Sequence, residues 1–218
     1  KIFMERIVPY RSSLIHFEIF GTGENILLCF HGYGEDGSVF SILEKNLGNE
    51  FKIIAIDLPF HGKTNWKEGF NFSPLQLIQI LQNAFGLQKV KFSILGYSMG
   101  GRIALQLLQL LPQNISKAVF IAPDGLHKNL WYRFSISTAG NSVFYYCMKH
   151  PSVLKTIMNT GSLLKIGSLK NFSYYIDTSK ARELLYKRWT TLRQFKPDLK
   201  ILQQIISSYK IPVRFLYG

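Results

Sequence analysis

The chain alternates short apolar runs with amphipathic segments, and this pattern predicts strands and helices in turn. Continuous apolar runs at 25–30, 51–56 and 115–122 are typical of strands that are buried on both faces. Residues 6–10 and 14–20 predict an antiparallel hairpin, and residues 39–47 predict a helix. The helical spacing after Ser73-Pro74 predicts a further helix that Gly86 ends. Strand alternating with helix from 25 to 122 indicates an α/β fold, doubly wound around a mostly parallel sheet, with ligands at the carboxyl ends of its strands.

The alternation stops after residue 125. Helices are predicted at 128–148, 151–159, 178–195 and 198–208, with loops at Gly161 and Gly167, and a last strand at 211–217. We therefore expect a core at 1–125, a helical cap at 126–208 and a returning core strand at 209–218. Aromatic residues are dense in the cap, and we expect most of them to form its own core and the others to line an apolar pocket beneath it.

The segment 91–111 carries the main chemical signal. It reads as a strand, the turn Gly96-Tyr97-Ser98-Met99-Gly100-Gly101, and an amphipathic helix. A serine at such a turn stands clear of the sheet, while the glycines let strand and helix approach each other. The free N–H groups at the helix N-terminus favour negative charge. The pattern predicts a nucleophilic serine, Ser98.

Two further glycine-rich turns follow predicted strands, His31-Gly32-Tyr33-Gly34 and Asp57-Leu58-Pro59-Phe60-His61-Gly62. With the G-x-S-x-G turn, in this order, they resemble the oxyanion loop, the D-x-P/R-G-x-G loop and the nucleophile elbow of the α/β-hydrolase superfamily. The elbow G-Y-S-M-G-G-R is similar to that of the succinyl-hydroxy-cyclohexadiene carboxylate synthase of menaquinone biosynthesis and of related esterases.

The resemblance implies a role for each matching residue. Ser98 would be the nucleophile, and the backbone N–H groups of Tyr33 and Met99 would form the oxyanion hole. The supporting residues of the elbow and the loop would be Gly96, Gly100, Gly101, His31 and Gly32. The implied activity is hydrolysis of a carboxylic ester, thioester or lactone through an acyl-enzyme, without a cofactor or a metal.

The family's chain order of serine, acid and histidine leads to a further expectation. The acid normally follows the strand that here ends at Gly218, and the histidine follows one more strand. We therefore expect both beyond Gly218, a chain that lacks the last strand and helix of the fold, and little activity from these 218 residues alone. Asp124, after an earlier strand, is an alternative acid position that some relatives use. None of the histidines, at positions 16, 31, 61, 127 and 150, follows a last strand.

Charge is distributed unevenly. The net charge is +13, and residues 128–218 hold 15 basic and three acidic residues. This excess favours an anionic small-molecule substrate, or it is a solvated lysine-rich surface. Only two cysteines, no leader-like N-terminus and no apolar run of about 18 residues favour a reducing, cytoplasmic location without membrane insertion. We expect no nucleic-acid partner, and the sequence does not indicate an oligomeric state.

Three alternatives stay open. A C–C lyase or hydrolase of the same fold would use pocket arginines on an anionic substrate, with candidates at 102, 133, 182, 188 and 193. A dinucleotide-binding domain would use Gly32-x-Gly34-x-x-Gly37, with Asp57 twenty residues later at the end of the next strand. A ligand receptor would use the same fold without catalysis.

Overall fold

A seven-stranded sheet forms the centre of the protein. The computed structural model describes residues 3–87, 90–126, 130–154, 156 and 176–217. The strand order is β1-β2-β4-β3-β5-β6-β7; β2 is antiparallel to β1 and β4, and the remaining pairs are parallel. The strands are β1 (Phe3–Tyr10), β2 (Ser13–Phe20), β3 (Asn25–Phe30), β4 (Phe51–Ile56), β5 (Phe92–Tyr97), β6 (Ile115–Ile121) and β7 (Val213–Leu216). This is the mostly parallel α/β sheet that the sequence predicts.

Helices connect the strands and continue through the second part of the chain. They are α1 (Glu44–Leu47), α2 (Pro74–Phe85), α3 (Met99–Leu110), α4 (Leu130–Ile136), α5 (Thr138–Lys149), α6 (Ser179–Thr191) and α7 (Leu199–Tyr209). Two 3₁₀ segments, Gly37–Leu43 and Pro112–Asn114, precede α1 and β6. No helix in these described ranges combines the length and the apolar character needed to cross a lipid bilayer.

Short sequence signals at the ends of elements explain why some predicted bounds agree with the structure. The Ser73 hydroxyl accepts from Gln76 N–H, the Gln76 side chain accepts from Ser73 N–H, and Gly86 ends α2 at φ 64°. This capping box and left-handed stop fix α2 at the predicted positions. The predicted antiparallel hairpin is present, but Tyr10 pairs with Ser13, so its turn has two residues where the predicted strands left three.

Two predicted helices differ in detail. The helix expected at 39–47 begins as a 3₁₀ segment, because Asp36 Oδ1 accepts from both the backbone N–H and the hydroxyl of Ser38 and tightens its first turn. The helix expected at 128–148 is interrupted at Ser137. Its hydroxyl accepts from Gly140 N–H and donates to the Phe134 carbonyl, so that one residue ends α4 and caps α5.

The chain divides into two compact units, Lys1–His127 with Gln194–Gly218 and Lys128–Arg193. The boundary on the C-terminal side therefore differs from the predicted cap limit at 208. Helix α7 contacts α3, and Lys196 N–H donates to Gln106 Oε1 at 2.9 Å, which joins 194–208 to the sheet unit. The cap assigned to 126–208 remains a prediction as a functional domain.

The second unit has an aromatic core of its own. Trp189 contacts the rings of Tyr132 and Phe144, with centroids 5.2 and 5.5 Å away, and Tyr186 contacts Tyr145 at 5.0 Å. The expectation that most of its aromatic residues form the unit's interior holds only in part, because Phe144 is buried while Phe134, Tyr145 and Tyr146 are exposed. The predicted loops at Gly161 and Gly167, the end of the helix at 151–159, the aromatic residues at 172, 174 and 175 and the side chain of Trp131 lie outside the described residues.

The strand order places a crevice at one position along the carboxyl ends of the parallel strands. From β3 the chain continues to β4 on one side and then returns to β5 on the other. The loops after β3 and β5 therefore leave in opposite directions and open a crevice at their carboxyl ends, where ligands of open α/β sheets bind. Ser98 follows β5 and His31 follows β3, so the predicted site residues meet at this switch point.

Candidate active site

Ser98 occupies a strained turn between β5 and α3. Its φ and ψ are 49° and −115°, a combination that residues with a Cβ atom rarely adopt. Its N–H donates to the Ile121 carbonyl at 3.0 Å, and its carbonyl accepts from Gly101 N–H at 2.9 Å and Asp124 N–H at 2.8 Å. These bonds hold the backbone in the unfavourable conformation, and the side chain of Ser98 is half-buried.

The three elbow glycines are required by close approaches. A Cβ atom on Gly96 would lie 2.6 Å from the Gly101 Cα, and one on Gly100 would lie 2.0 Å from the Phe30 carbonyl oxygen. A Cβ atom on Gly101 would lie 2.4 Å from the Pro123 Cβ. The start of α3 is therefore pressed against β3, β5 and the segment after β6, which fixes where the Ser98 hydroxyl stands.

The N-terminus of α3 lies directly behind this serine. Met99 is the first residue of the helix and is buried. The first N–H groups of any helix have no intrahelical acceptor and carry the positive end of the helix dipole. The Met99 N–H therefore has the chemical character that the predicted oxyanion donor needs.

The loop after β3 is fixed by the imidazole of His31. Because a carbonyl only accepts, Nδ1–H donates to the Gly32 carbonyl at 2.8 Å, and Nε2 accepts from Leu58 N–H at 3.1 Å. Gly32 N–H donates in turn to Glu35 Oε2 at 3.0 Å. Both ring nitrogens of the fully buried His31 are engaged with backbone groups of the two loops, so this residue is unsuited to act as a base.

The Asp57 carboxylate accepts three hydrogen bonds near the site, and the sequence pointed to this residue only as part of a motif. Its Oδ1 accepts from Gly37 N–H at 2.7 Å, and its Oδ2 accepts from Lys63 N–H at 2.7 Å and from His16 Nδ1 at 2.8 Å. Side chain and backbone are both buried. A carboxylate enclosed in this way is unavailable to the hydroxyl groups of a ribose, which argues against the dinucleotide-binding alternative.

His16, Glu18 and Asp57 form the group in the described ranges that has metal-ligand chemistry, with ligand atoms within 4.8 Å of one another. Three N–H groups already donate to the Asp57 carboxylate, which has about four lone-pair positions. Few of these positions are left to bind a cation. Burial, and then the negative charges of Asp57 and Asp36, raise the pKa of the Glu18 carboxyl. This chemistry favours a buried hydrogen-bonded network over a metal centre.

Asp124, the alternative acid, is engaged in supporting the elbow. Its N–H donates to the Ser98 carbonyl, and its carboxylate Oδ2 lies 3.4 Å from Nη1 of the buried Arg102. A carboxylate beside an arginine in this way is poorly placed to orient a histidine. The same ion pair argues against Arg102 as the arginine that a C–C lyase would present to its substrate.

The other histidines have different surroundings. His61 Nδ1 donates to the Pro59 carbonyl at 2.9 Å, and its ring lies edge-on to Tyr33, with centroids 6.1 Å apart. His150 belongs to the second unit, where its ring lies 4.1 Å from that of Tyr146. His127 lies outside the described residues.

Comparison with known families shows where this fold belongs. A family model described as alpha/beta hydrolase fold matches residues 25–139, which include β3 to β6 and the three glycine-rich turns. The chain belongs to the α/β-hydrolase family. The resemblance inferred from the motifs is thereby confirmed.

Relatives with enzymatic names lie within this family. A serine hydrolase-like protein of Danio rerio is 31% identical over 101 residues, which are 45% of this chain and 31% of that protein. A pimeloyl-[acyl-carrier protein] methyl ester esterase of Wigglesworthia glossinidia brevipalpis is 26% identical over 211 residues, which are 93% of this chain and 77% of that protein. The chain thus spans less than half of the length of the first relatives that it matches, but most of the esterase.

Solved structures show the same fold. A haloalkane dehalogenase of Bradyrhizobium elkani superposes with a TM-score of 0.61 over 100% of this chain and 81% of its own, at 13% identity. At this identity the likeness concerns the fold alone. The α/β-hydrolase fold predicted from the motifs is therefore confirmed by both the family model and the known structures.

Proposed function

We propose that this protein is a serine hydrolase that cleaves a carboxylic ester, thioester or lactone, with Ser98 as its nucleophile. The observation that carries the proposal is the backbone of Ser98, held at φ 49° between β5 and the N-terminus of α3. A strained serine at this junction has no evident structural use, whereas a nucleophile needs a hydroxyl raised above the sheet.

In the proposed reaction, Ser98 Oγ forms a bond to the carbonyl carbon and its proton passes to a general base. The carbonyl oxygen becomes negative and accepts hydrogen bonds from the N–H groups of Met99 and Tyr33. The bond to the alcohol or thiol then breaks, the base returns the proton to the leaving group, and water releases the acid by the same steps. Each oxyanion donor is worth about 3 kcal/mol of transition-state stabilisation.

The general base is proposed to be a histidine, as the family resemblance implies. Among the described histidines, His31 is excluded from this role because its Nδ1 donates to Gly32 and its Nε2 accepts from Leu58. His16 is buried in the network beside β2, where its Nδ1 donates to Asp57 Oδ2 and its Nε2 lies 3.8 Å from Glu5 Oε1.

The esterase relatives support an oxygen ester as the first substrate to test. The Wigglesworthia relative is named for a methyl ester on an acyl-carrier protein, and its match extends over 93% of this chain. The surplus of 12 positive charges in 128–218, from 15 basic and three acidic residues, supports an ester whose acyl or carrier part is anionic.

The test is turnover of p-nitrophenyl butyrate by full-length protein, with Ser98→Ala as the decisive variant and Ser207→Ala as the matched control. Ser207 is exposed on α7. We expect wild type and Ser207→Ala to hydrolyse the ester and to be labelled once by a fluorophosphonate, and Ser98→Ala to do neither. Turnover or labelling that survives in Ser98→Ala would refute the assignment, and inactivity of wild type would favour the lyase or the receptor.

A further inference from the structure

The loop 31–37, which contains Tyr33, is tied at both ends to the loop that follows β4. At its start, His31 Nε2 accepts from Leu58 N–H at 3.1 Å. At its end, Gly37 N–H donates to Asp57 Oδ1 at 2.7 Å. Tyr33, whose N–H is the proposed oxyanion donor, lies between these two ties. The position of that N–H therefore depends on the loop after β4.

Asp57 is itself held by groups from two other segments. Lys63 N–H and His16 Nδ1 both donate to its Oδ2, and the Thr64 hydroxyl donates to its carbonyl at 2.6 Å. Gly62 lies so close that a Cβ atom there would be 2.0 Å from Oδ2. With three N–H donors and a packed backbone around it, the carboxylate has one available orientation. That orientation directs Oδ1 at Gly37.

We propose that Asp57 is a positioning residue that fixes the oxyanion loop through Gly37 N–H, and that His16 and Lys63 hold its carboxylate in place for this task. The inference rests on the proposed hydrolase function and deepens it. Asp57 makes no contact with the reacting atoms in this role. Its loss displaces a donor that acts only in the transition state, so the effect falls on kcat more than on KM.

The first variant is Asp57→Asn in full-length protein. An asparagine offers one acceptor oxygen and an NH₂ group, so at least one of the three facing N–H groups meets another donor. Misplacement of a catalytic group by about 1 Å costs roughly 100-fold in rate, so we expect kcat to fall roughly 10-fold to 100-fold with KM within about twofold. Affinity for a trifluoromethyl ketone, which forms a tetrahedral oxyanion on Ser98, should fall in proportion to kcat/KM.

A second variant, Gly37→Ala, tests the same proposal if Asp57→Asn does not fold. A Cβ atom on Gly37 would lie 3.3 Å from Asp57 Oδ1 and 3.2 Å from the Ala55 Cβ, so Gly37→Ala presses on the same contact with a mild change. We expect the same division between kcat and KM at smaller size, a few-fold in kcat.

The control is Glu68→Ala. Glu68 Oε1 accepts from Ser12 N–H and the Ser13 hydroxyl, both at 2.9 Å, so it is another carboxylate that anchors backbone, but at the hairpin. We expect a lower melting temperature with kcat and ketone affinity unchanged. A purely structural role for Asp57 would make its variants resemble this control.

The outcomes separate this inference from the proposed function. A selective fall in kcat and ketone affinity in Asp57→Asn or Gly37→Ala, absent from Glu68→Ala, supports the positioning role. Unchanged kcat in the folded variants, or a loss that follows melting temperature equally in all three, overturns it while the hydrolase assignment stands. Wild type that neither hydrolyses the ester nor reacts with the fluorophosphonate overturns both.

Discussion

Replacing Ser98 by glycine should yield a more stable protein than replacing it by alanine. Both changes remove the hydroxyl, so their difference reports the backbone. At φ 49° and ψ −115° a residue with a Cβ atom pays of order 1–3 kcal/mol in strain. Glycine escapes this strain but loses about 0.5–1 kcal/mol more backbone entropy on folding. We therefore expect Ser98→Gly to exceed Ser98→Ala by about 1 kcal/mol in free energy of unfolding.

Urea denaturation, followed by far-UV circular dichroism, measures this difference, and thermal melting should show it as about 2–4 °C. Ser207 supplies the control pair, because it is exposed and lies within α7 at ordinary helical geometry. There the order should be reversed, with Ser207→Gly about 1 kcal/mol less stable than Ser207→Ala. A common experimental error would shift both pairs in the same direction.

Equal stability of the two Ser98 variants, or a more stable alanine variant, would refute the reasoning if the Ser207 pair kept its normal order. It would mean that the turn relaxes at no cost and that the backbone of Ser98 is not held under strain. Since both Ser98 variants lack the proposed nucleophile, both should be inactive towards p-nitrophenyl butyrate. The extra stability of Ser98→Gly over Ser98→Ala would then measure the stability that is lost through backbone strain at this position.

Three further predictions follow. Gly100→Ala places a Cβ atom 2.0 Å from a backbone carbonyl oxygen and should lower the free energy of unfolding, measured in urea, by at least about 2 kcal/mol. Gly86→Ala, where the surrounding space is open and only the φ of 64° is unfavourable, should lower it by about 1 kcal/mol. Burial and nearby carboxylates raise the pKa of Glu18 above its usual 4.5, so ionisation of Glu18 destabilises the folded state as the pH rises. Glu18→Gln should therefore raise the melting temperature of the protein at pH about 7.5 and change it little near the usual pKa. The thiols of Cys29 and Cys147 are buried and their pKa values are raised, so Ellman's reagent should react with them only after unfolding.

The sequence was sufficient for elements whose signals are local. The start and end of α2 follow from Ser73, Gln76 and Gly86, which lie within one helix length of one another. The apolar runs of β3 and β4 predicted strands with the observed bounds, since a strand covered on both faces tolerates few polar residues. Where the prediction failed, at 37–43 and at Ser137, one short side chain redirected the backbone through hydrogen bonds that the apolar pattern does not encode.

The candidate site was predictable where its structural requirements concern residues that are close together in the sequence. The close approaches at Gly96, Gly100 and Gly101 allow no side chain, and they occur at fixed spacing around Ser98. The turn therefore leaves a recognisable pattern in the sequence. A positive φ at a serine, in contrast, leaves none, because the residue that bears the strain is chosen for its hydroxyl.

The network around Asp57 escaped prediction for a related reason. Its partners His16 and Gly37 are 41 and 20 residues away along the chain, and two of its three donors are backbone N–H groups, which every residue except proline offers. Gly37 and Gly62 also lie close to this carboxylate, but the twenty-residue spacing from Gly37 to Asp57 equally fits a dinucleotide-binding motif, so spacing alone does not identify the contacts. The positioning role proposed for Asp57 therefore rests on the hydrogen bonds of the folded chain and not on a sequence motif. Only variants that separate kcat from stability distinguish this positioning from ordinary packing.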